Sequence, residues 1–371
     1  MVTMEGKNTV ASGGSVIQGL TDKMVQVRLN SIDVSDFLFA TYFPLKRVNS
    51  GYWHVLSNQT GSKNVAADIH DLNSSTVTKV RKGHDSMSGR LPRIAIKREM
   101  DAATIIEYKT ALALAGDDDA AKLVQYWGND IDFCFNGVQS ELEYLAWAVV
   151  SNGGYLDINQ TNNATLIADN GLDYHVDDEQ KVTADSDWTN KATADIIGDL
   201  ANIIQTAKGA GFNPKFAFVS QEQFYKIASS EQMIKACASY LANAVGMAQT
   251  PNLESVNNAF ANQAWLNGLQ LRVIDQTITR EYSDGSTSSS NPFADNRMVL
   301  AESETLGSTQ YAPILTTNDT ALHAERSHTV ITRYSVADPV KDITIGETLA
   351  LPILDSAYRN VYIRTDNTNW V

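Results

Sequence analysis

Few side chains in this sequence are placed to do chemistry. His323, Glu325 and His328 in HAERSH combine two imidazoles and a carboxylate, a donor set that suits zinc. A five-residue step puts the two histidines on different faces of a helix, so the segment reads as solvated chain. Asp117, Asp118 and Asp119 could hold a hard cation, but they stand where a helix begins and its dipole favours negative charge. DNGLD at 169–173 resembles part of a calcium loop without the bidentate glutamate that completes one, and reads as a turn. Cys134 and Cys237 match no metal or redox spacing, and both are expected to be reduced residues in apolar helical patterns. There is no phosphate-binding glycine loop, dinucleotide fingerprint, nucleophile elbow, zincin motif or CxxC pair. No enzyme, cofactor or metal centre is expected.

The charged residues are more informative. The chain has a net charge of −14, yet seven basic residues (Lys79, Arg81, Lys82, Arg90, Arg93, Lys97 and Arg98) crowd into one short segment with the single acid Asp85. Residues 1–100 hold 13 basic and 8 acidic residues, a net of +5; residues 101–371 hold 16 and 35, a net of −19. Two such parts are complementary if copies of the chain meet. Nucleic acid is the other reading of a basic patch. It is disfavoured because the remaining bulk would repel phosphate.

The elements that must position these residues follow from periodicity. At 371 residues and 43% apolar content the chain is globular and long enough for two or three domains. It contains no run of about 18 apolar residues that could cross a membrane, and its first residues have no secretory h-region. Residues 25–56 read as extended arm, a short helix near Val34–Ala40, and extended chain again. STVTKVRK and LPRIAIKRE carry β-branched residues on alternate positions around the glycine-bounded GHDSMSG, which predicts a polar β-hairpin. Such a hairpin is unstable alone and is expected to lie on something. DAATIIEYKTALALAG is a helix. Val124, Trp127, Ile131, Cys134, Val138, Leu142, Leu145 and Val149 then recur every three or four residues until Gly153 and Gly154. That predicts one helix of about 30 residues, roughly 45 Å long. Residues 187–325 read as a compact α/β block with a buried strand FAFVS. The last forty residues are strand-like.

This order resembles the major capsid proteins of tailed bacteriophages with the HK97 fold, and more narrowly the lambda-type major head proteins (capsid protein E group). LPRIAIKREMDAATI (91–105), W…ADIIGDL…AKGAGFNPKFAFVS (188–220), LQLRVIDQTITREYSDG…NPFADNRMVLAESETLGSTQYAP (269–313) and RYSVADPVKD…LALPIL (333–354) carry the resemblance. Phe293 and Ala294 stand as an insertion between Pro292 and Asp295.

The resemblance implies an α+β fold with an N-terminal arm (1–60) and an extended β-hairpin, the E-loop (61–100). A P-domain (101–186) would follow, carrying a spine helix at about 117–150. An inserted α/β A-domain (187–330) and returning P-domain strands (331–371) would complete it. It implies a structural protein whose hexamers and pentamers form an icosahedral shell around viral DNA without sequence-specific binding, made in a host bacterial cytoplasm. Separate scaffold, portal and decoration proteins are implied, with no membrane and no covalent cross-linking. The basic E-loop (Lys79, Arg81, Lys82, Arg90, Arg93, Lys97, Arg98) is expected to meet an acidic surface on the next copy, drawn from Asp117, Asp118, Asp119, Asp130, Asp132, Glu141 and Glu143. An encapsulin-like compartment shell and a non-shell phage structural or binding protein remain as alternatives.

Overall fold

The computed structural model describes residues 21–57, 69–70, 75–76, 85–114, 117–156, 172–238, 249–282, 284–314 and 321–370. In chain order the elements are α1 (Asp22–Ser31), α2 (Phe39–Tyr42), β1 (Leu45–Arg47), β2 (Tyr52–Ser57), β3 (Asp85–Arg90), β4 (Arg93–Met100), α3 (Ala102–Leu114), α4 (Asp117–Ser151), β5 (Tyr155–Leu156), β6 (Leu172–Asp173), β7 (Lys181–Thr183), α5 (Ile196–Ala210), β8 (Phe216–Ser220), α6 (Gln221–Ala228), α7 (Glu231–Cys237) and α8 (Leu253–Asn262). They continue as β9 (Gln270–Ile274), β10 (Ile278–Glu281), β11 (Thr287–Ser290), β12 (Arg297–Ala301), β13 (Ser308–Ala312), β14 (Leu322–Arg326), β15 (Thr329–Ala337), β16 (Val340–Ile353) and β17 (Val361–Arg364). Among the described residues no helix is long and apolar enough to cross a membrane. Contacts divide the chain into two units. One comprises Met1–Trp53, Ser88–Glu143 and Thr309–Pro352; the other comprises His54–Met87, Tyr144–Ser308 and Ile353–Val371.

The first unit is built on a sheet in the order β1-β13-β16-β15-β14, with β4 also paired to β16. Strand alternation turns Ile96, Ala324 and Ile331 to one face, where they meet Ile131, Cys134 and Phe135 of α4 and Val25 and Leu29 of α1. β16 passes close to α4 at Gly346, where a Cβ would lie 2.6 Å from the Cys134 carbonyl oxygen, so only glycine fits. α1 departs from the extended arm expected at residues 25–33. Thr21 caps it by accepting the Met24 N–H at 3.4 Å, and Val25 and Leu29, four apart, both bury. Val25 and Val27 alternate as they would in a strand, but it is the four-residue step that meets the core. The short helix expected near 34–40 forms slightly later, as α2.

The described part of the basic segment makes pairings beyond those of a simple hairpin. β3 covers most of the stretch expected to be the hairpin tip and, among the described residues, pairs with β2. β4, expected as the hairpin's second strand, runs antiparallel to β16 from Met100 opposite Asp342 to Arg93 opposite Leu349. Packing favours this pairing: Ile96 joins the apolar cluster shared with α1 and α4, and Met100 is buried. The expected first strand, 75–82, lies almost wholly outside the described residues. Gly89 sits against the Trp53 ring, where any Cβ would fall within 3 Å of the indole.

The second unit holds a sheet in the order β7-β17-β12-β8-β9. Its core joins Trp188, Leu200 and Ile204 to Val219, Phe260, Leu271 and Leu300. α5 begins with Asp195 accepting the Gly198 N–H at 3.1 Å and ends with Gly211 at φ 95°, a left-handed cap. FAFVS is a buried strand, as its composition predicts. Trp147 is fully buried, with Phe218 and Phe293 ring centroids 6.2 and 6.4 Å away. β17 and β7, sequence-predicted parts of the P-domain, pair with each other in this sheet, and β17 pairs with β12. Residues 144–156, 172–186 and 353–370 therefore group by contact with residues 187–308.

Candidate functional site

The charged residues singled out by the sequence separate into engaged and available groups. On the open face of β4, Arg93 Nε donates to Glu347 Oε2 at 2.6 Å. Glu99 pairs with Lys97 on its own strand and with Lys341 Nζ at 2.6 Å on β16. Hydrogen bonds from Lys341 and then Lys97 hold the Glu99 carboxyl at a pKa of about 2. The opposite face of β4 looks toward α4. There the Arg98 guanidinium lies 3.4 Å from Asp130 and 4.5 Å above the Phe133 ring. Arg93, Lys97 and Arg98 thus all have partners in their own chain.

The expected acidic surface on α4 is narrower than the sequence suggests. Asp130 is buried, and burial raises its pKa against the lowering pull of Arg333 and Arg98. Glu143 is 1% exposed and accepts the Phe39 N–H at 2.7 Å. Both belong to the core side of the helix: Asp130 is four residues from Cys134, and Glu143 is four from the buried Gln139. Asp132 accepts from Arg28 Nε at 2.9 Å, and that bond raises the Arg28 pKa. Glu141 is half-buried. Asp117, Asp118 and Asp119 open α4, but their side chains lie outside the description. Arg90 ends β3 and is exposed, while Lys79, Arg81 and Lys82 lie outside the described residues.

Other chemistry-bearing groups have structural surroundings. His323 and Glu325 lie on β14 and His328 in the turn after it, and His323 Nδ1 is 3.2 Å from Thr332 Oγ1. His328 is 7% exposed, edge-on to Phe39 and Tyr311 at 6.3 and 6.0 Å, and burial lowers its pKa to about 4. It lines a cavity of about 20 Å³ with Arg47, Tyr311 and Glu325, room for about one water. Among the described residues no three His, Cys, Asp or Glu side chains gather as a metal site. Cys134 is free and buried, and burial pushes its thiol up to about 12.

Sequence reasoning missed the buried pair in the first unit, Arg333 with Asp342 at 2.8 Å, whose side chains are 1% and 0% exposed. The signal was available: a hairpin turning at Asp338–Pro339 sets Arg333 opposite Thr344 and so makes Asp342 its diagonal neighbour on the same face.

A family model described as phage major capsid protein E matches residues 21–354. No curated protein matches. A prophage protein of Escherichia coli CFT073, described as a capsid protein, has a solved structure with 16% identity and a TM-score of 0.57; the match covers 93% of this chain and 99% of that one. A phage-related protein of Bordetella bronchiseptica RB50 gives 10% identity and a TM-score of 0.50, covering 95% and 99%. At these identities the structures speak for the shared fold.

Proposed function

The chain belongs to the phage major capsid protein E family, and from that premise we propose how its copies meet. It is a structural shell protein with an HK97-like α+β fold, not an enzyme. The family match over residues 21–354 is the observation that carries this function.

Hexamers and pentamers of the chain close into an icosahedral shell around DNA, which is held without sequence readout. Scaffold, portal and decoration proteins are separate chains, and synthesis takes place in a bacterial host. Arg93, Lys97 and Arg98 are engaged within their own chain. That leaves Arg90, with Lys79, Arg81 and Lys82 ahead of it, to reach the next copy. The partners are Asp117, Asp118 and Asp119 at the start of its α4. An exposed pair contributes only about 0–1 kcal/mol. A shell repeats the contact in every subunit, and repetition makes small contributions decisive. Weak individual pairs also let wrongly placed subunits leave.

Light scattering and negative-stain microscopy from about 0.05 M to 1 M salt test this. Shells or capsomers that dissociate as salt screens charge are expected, as is loss of assembly in Lys79→Glu/Arg81→Glu/Lys82→Glu/Arg90→Glu. Adding Asp117→Lys/Asp118→Lys/Asp119→Lys should restore it. Normal, salt-indifferent shells from the reversed-charge variant would overturn the contact while leaving the shell function standing.

A further inference from the structure

β14 ends its sheet and, among the described residues, pairs with β15 alone. Such an edge offers unpaired N–H and C=O groups that another chain can extend. The tight turn through Ser327 and His328 sets Arg326 opposite Thr329. By antiparallel alternation, His323 and Glu325 then turn their backbone groups away from β15. α1 meets these groups. The His323 N–H donates to Asp22 Oδ1 at 3.0 Å, and the Glu325 N–H donates to Gln26 Oε1 at 3.1 Å. Gln26 Nε2 donates back to the Glu325 carbonyl at 2.8 Å. Asp22 and Gln26 are four residues apart, a helical rise of about 6 Å. His323 and Glu325 are two apart, about 6.8 Å along a strand. That near match lets one helix face engage alternate residues of the strand. Arg326 Nη1 secures the far end through the Leu29 and Ile32 carbonyls at 2.9 and 2.8 Å.

We propose that α1 is an edge guard: Asp22 and Gln26 occupy the outward backbone groups of β14 that a strand from a second copy of this chain would otherwise take. The choice of occupant rests on the shell function, because assembly crowds each copy against others of the same sequence. Val25 and Leu29, 1% and 0% exposed, anchor the helix. The guard therefore stays seated while its polar side chains supply the strand-like bonds. Its effect is to direct association away from open-ended sheet growth and toward the contacts that close a shell.

Amide hydrogen exchange on the full chain tests the guard without depending on shell formation. In Asp22→Ala/Gln26→Met, exchange at the His323 and Glu325 amides should rise tenfold or more, while Ile331 and Ile345 keep their protection. Thioflavin-positive aggregates should grow at the expense of shells. Lys23→Ala, on the exposed side of α1, should behave as the unaltered chain. If the double variant fails to fold, Gln26→Met alone, which keeps the side-chain volume, is read at Glu325. Unchanged exchange at both edge amides would overturn the proposal. So would faster exchange with unaltered assembly products, or equal loss of protection at Ile331, which would make α1 a core element only.

Discussion

His328 and the Arg333–Asp342 pair are the residues whose burial makes the sharpest demands on the first unit. His328 is neutral in the fold, and its folded pKa of about 4 lies below its ordinary 6.5. The unfolded chain therefore binds the proton first as pH falls. The stability contributed by the neutral ring is complete above pH 6.5, declines through the interval, and is lost by about pH 4. Lowering a pKa from 6.5 to about 4 corresponds to about 3 kcal/mol. His328→Phe should flatten that part of the profile of unfolding free energy against pH. A variant with an undiminished slope between pH 6.5 and 4 would place the acid sensitivity elsewhere. Arg333 and Asp342 make a second demand, because two buried ions stabilise only while both are present. Asp342→Ala should cost about 3–5 kcal/mol by leaving the guanidinium without its carboxylate, and Arg333→Met/Asp342→Leu should cost less. Denaturant unfolding of the unassembled chain distinguishes these outcomes; equal losses would mean the charge itself is not the issue.

At the scale of elements, two glycines in similar-looking apolar stretches should behave oppositely. A Cβ on Gly346 would press on the Cys134 backbone, whereas one on Gly209, within α5, meets nothing within 4 Å. Gly346→Ala should lower stability by about 1–3 kcal/mol through forced separation of β16 and α4. Gly209→Ala should raise it by about 0.5–1 kcal/mol through helix propensity. Thermal melting of the two variants checks both signs. Sequence could not tell these glycines apart, because the difference lies in what crosses over them. The same limit explains β4: the alternation in LPRIAIKRE marks a strand and its two faces, but not its partner. That partner, β16, lies some 250 residues further on. α1 was hidden for another reason, since a Val-rich ten-residue segment fits either period until a core is there to choose.

For the whole molecule, the proposed contact between copies rests on fewer charged residues than the sequence offers. Three of the seven basic residues serve the fold of their own chain, through Glu347, Glu99 and Asp130. If intersubunit attraction falls to the remaining groups, as proposed, assembly should depend more steeply on each of them than seven equal contributors would allow. Salt titration of shells carrying Arg90→Ala alone checks this, with earlier dissociation expected than for the unaltered chain. Sequence by itself determined the α+β class, the long α4, the buried FAFVS strand and the order of elements that resembles a phage head protein. Local periodicity and the order of segments are properties of the chain alone. Tertiary structure decided which strand β4 joins, that β17 sits with β7 and β12, that Asp130 and Glu143 face inward, and that α1 shields β14. Each of these depends on which distant apolar surfaces meet, and no local spacing encodes that.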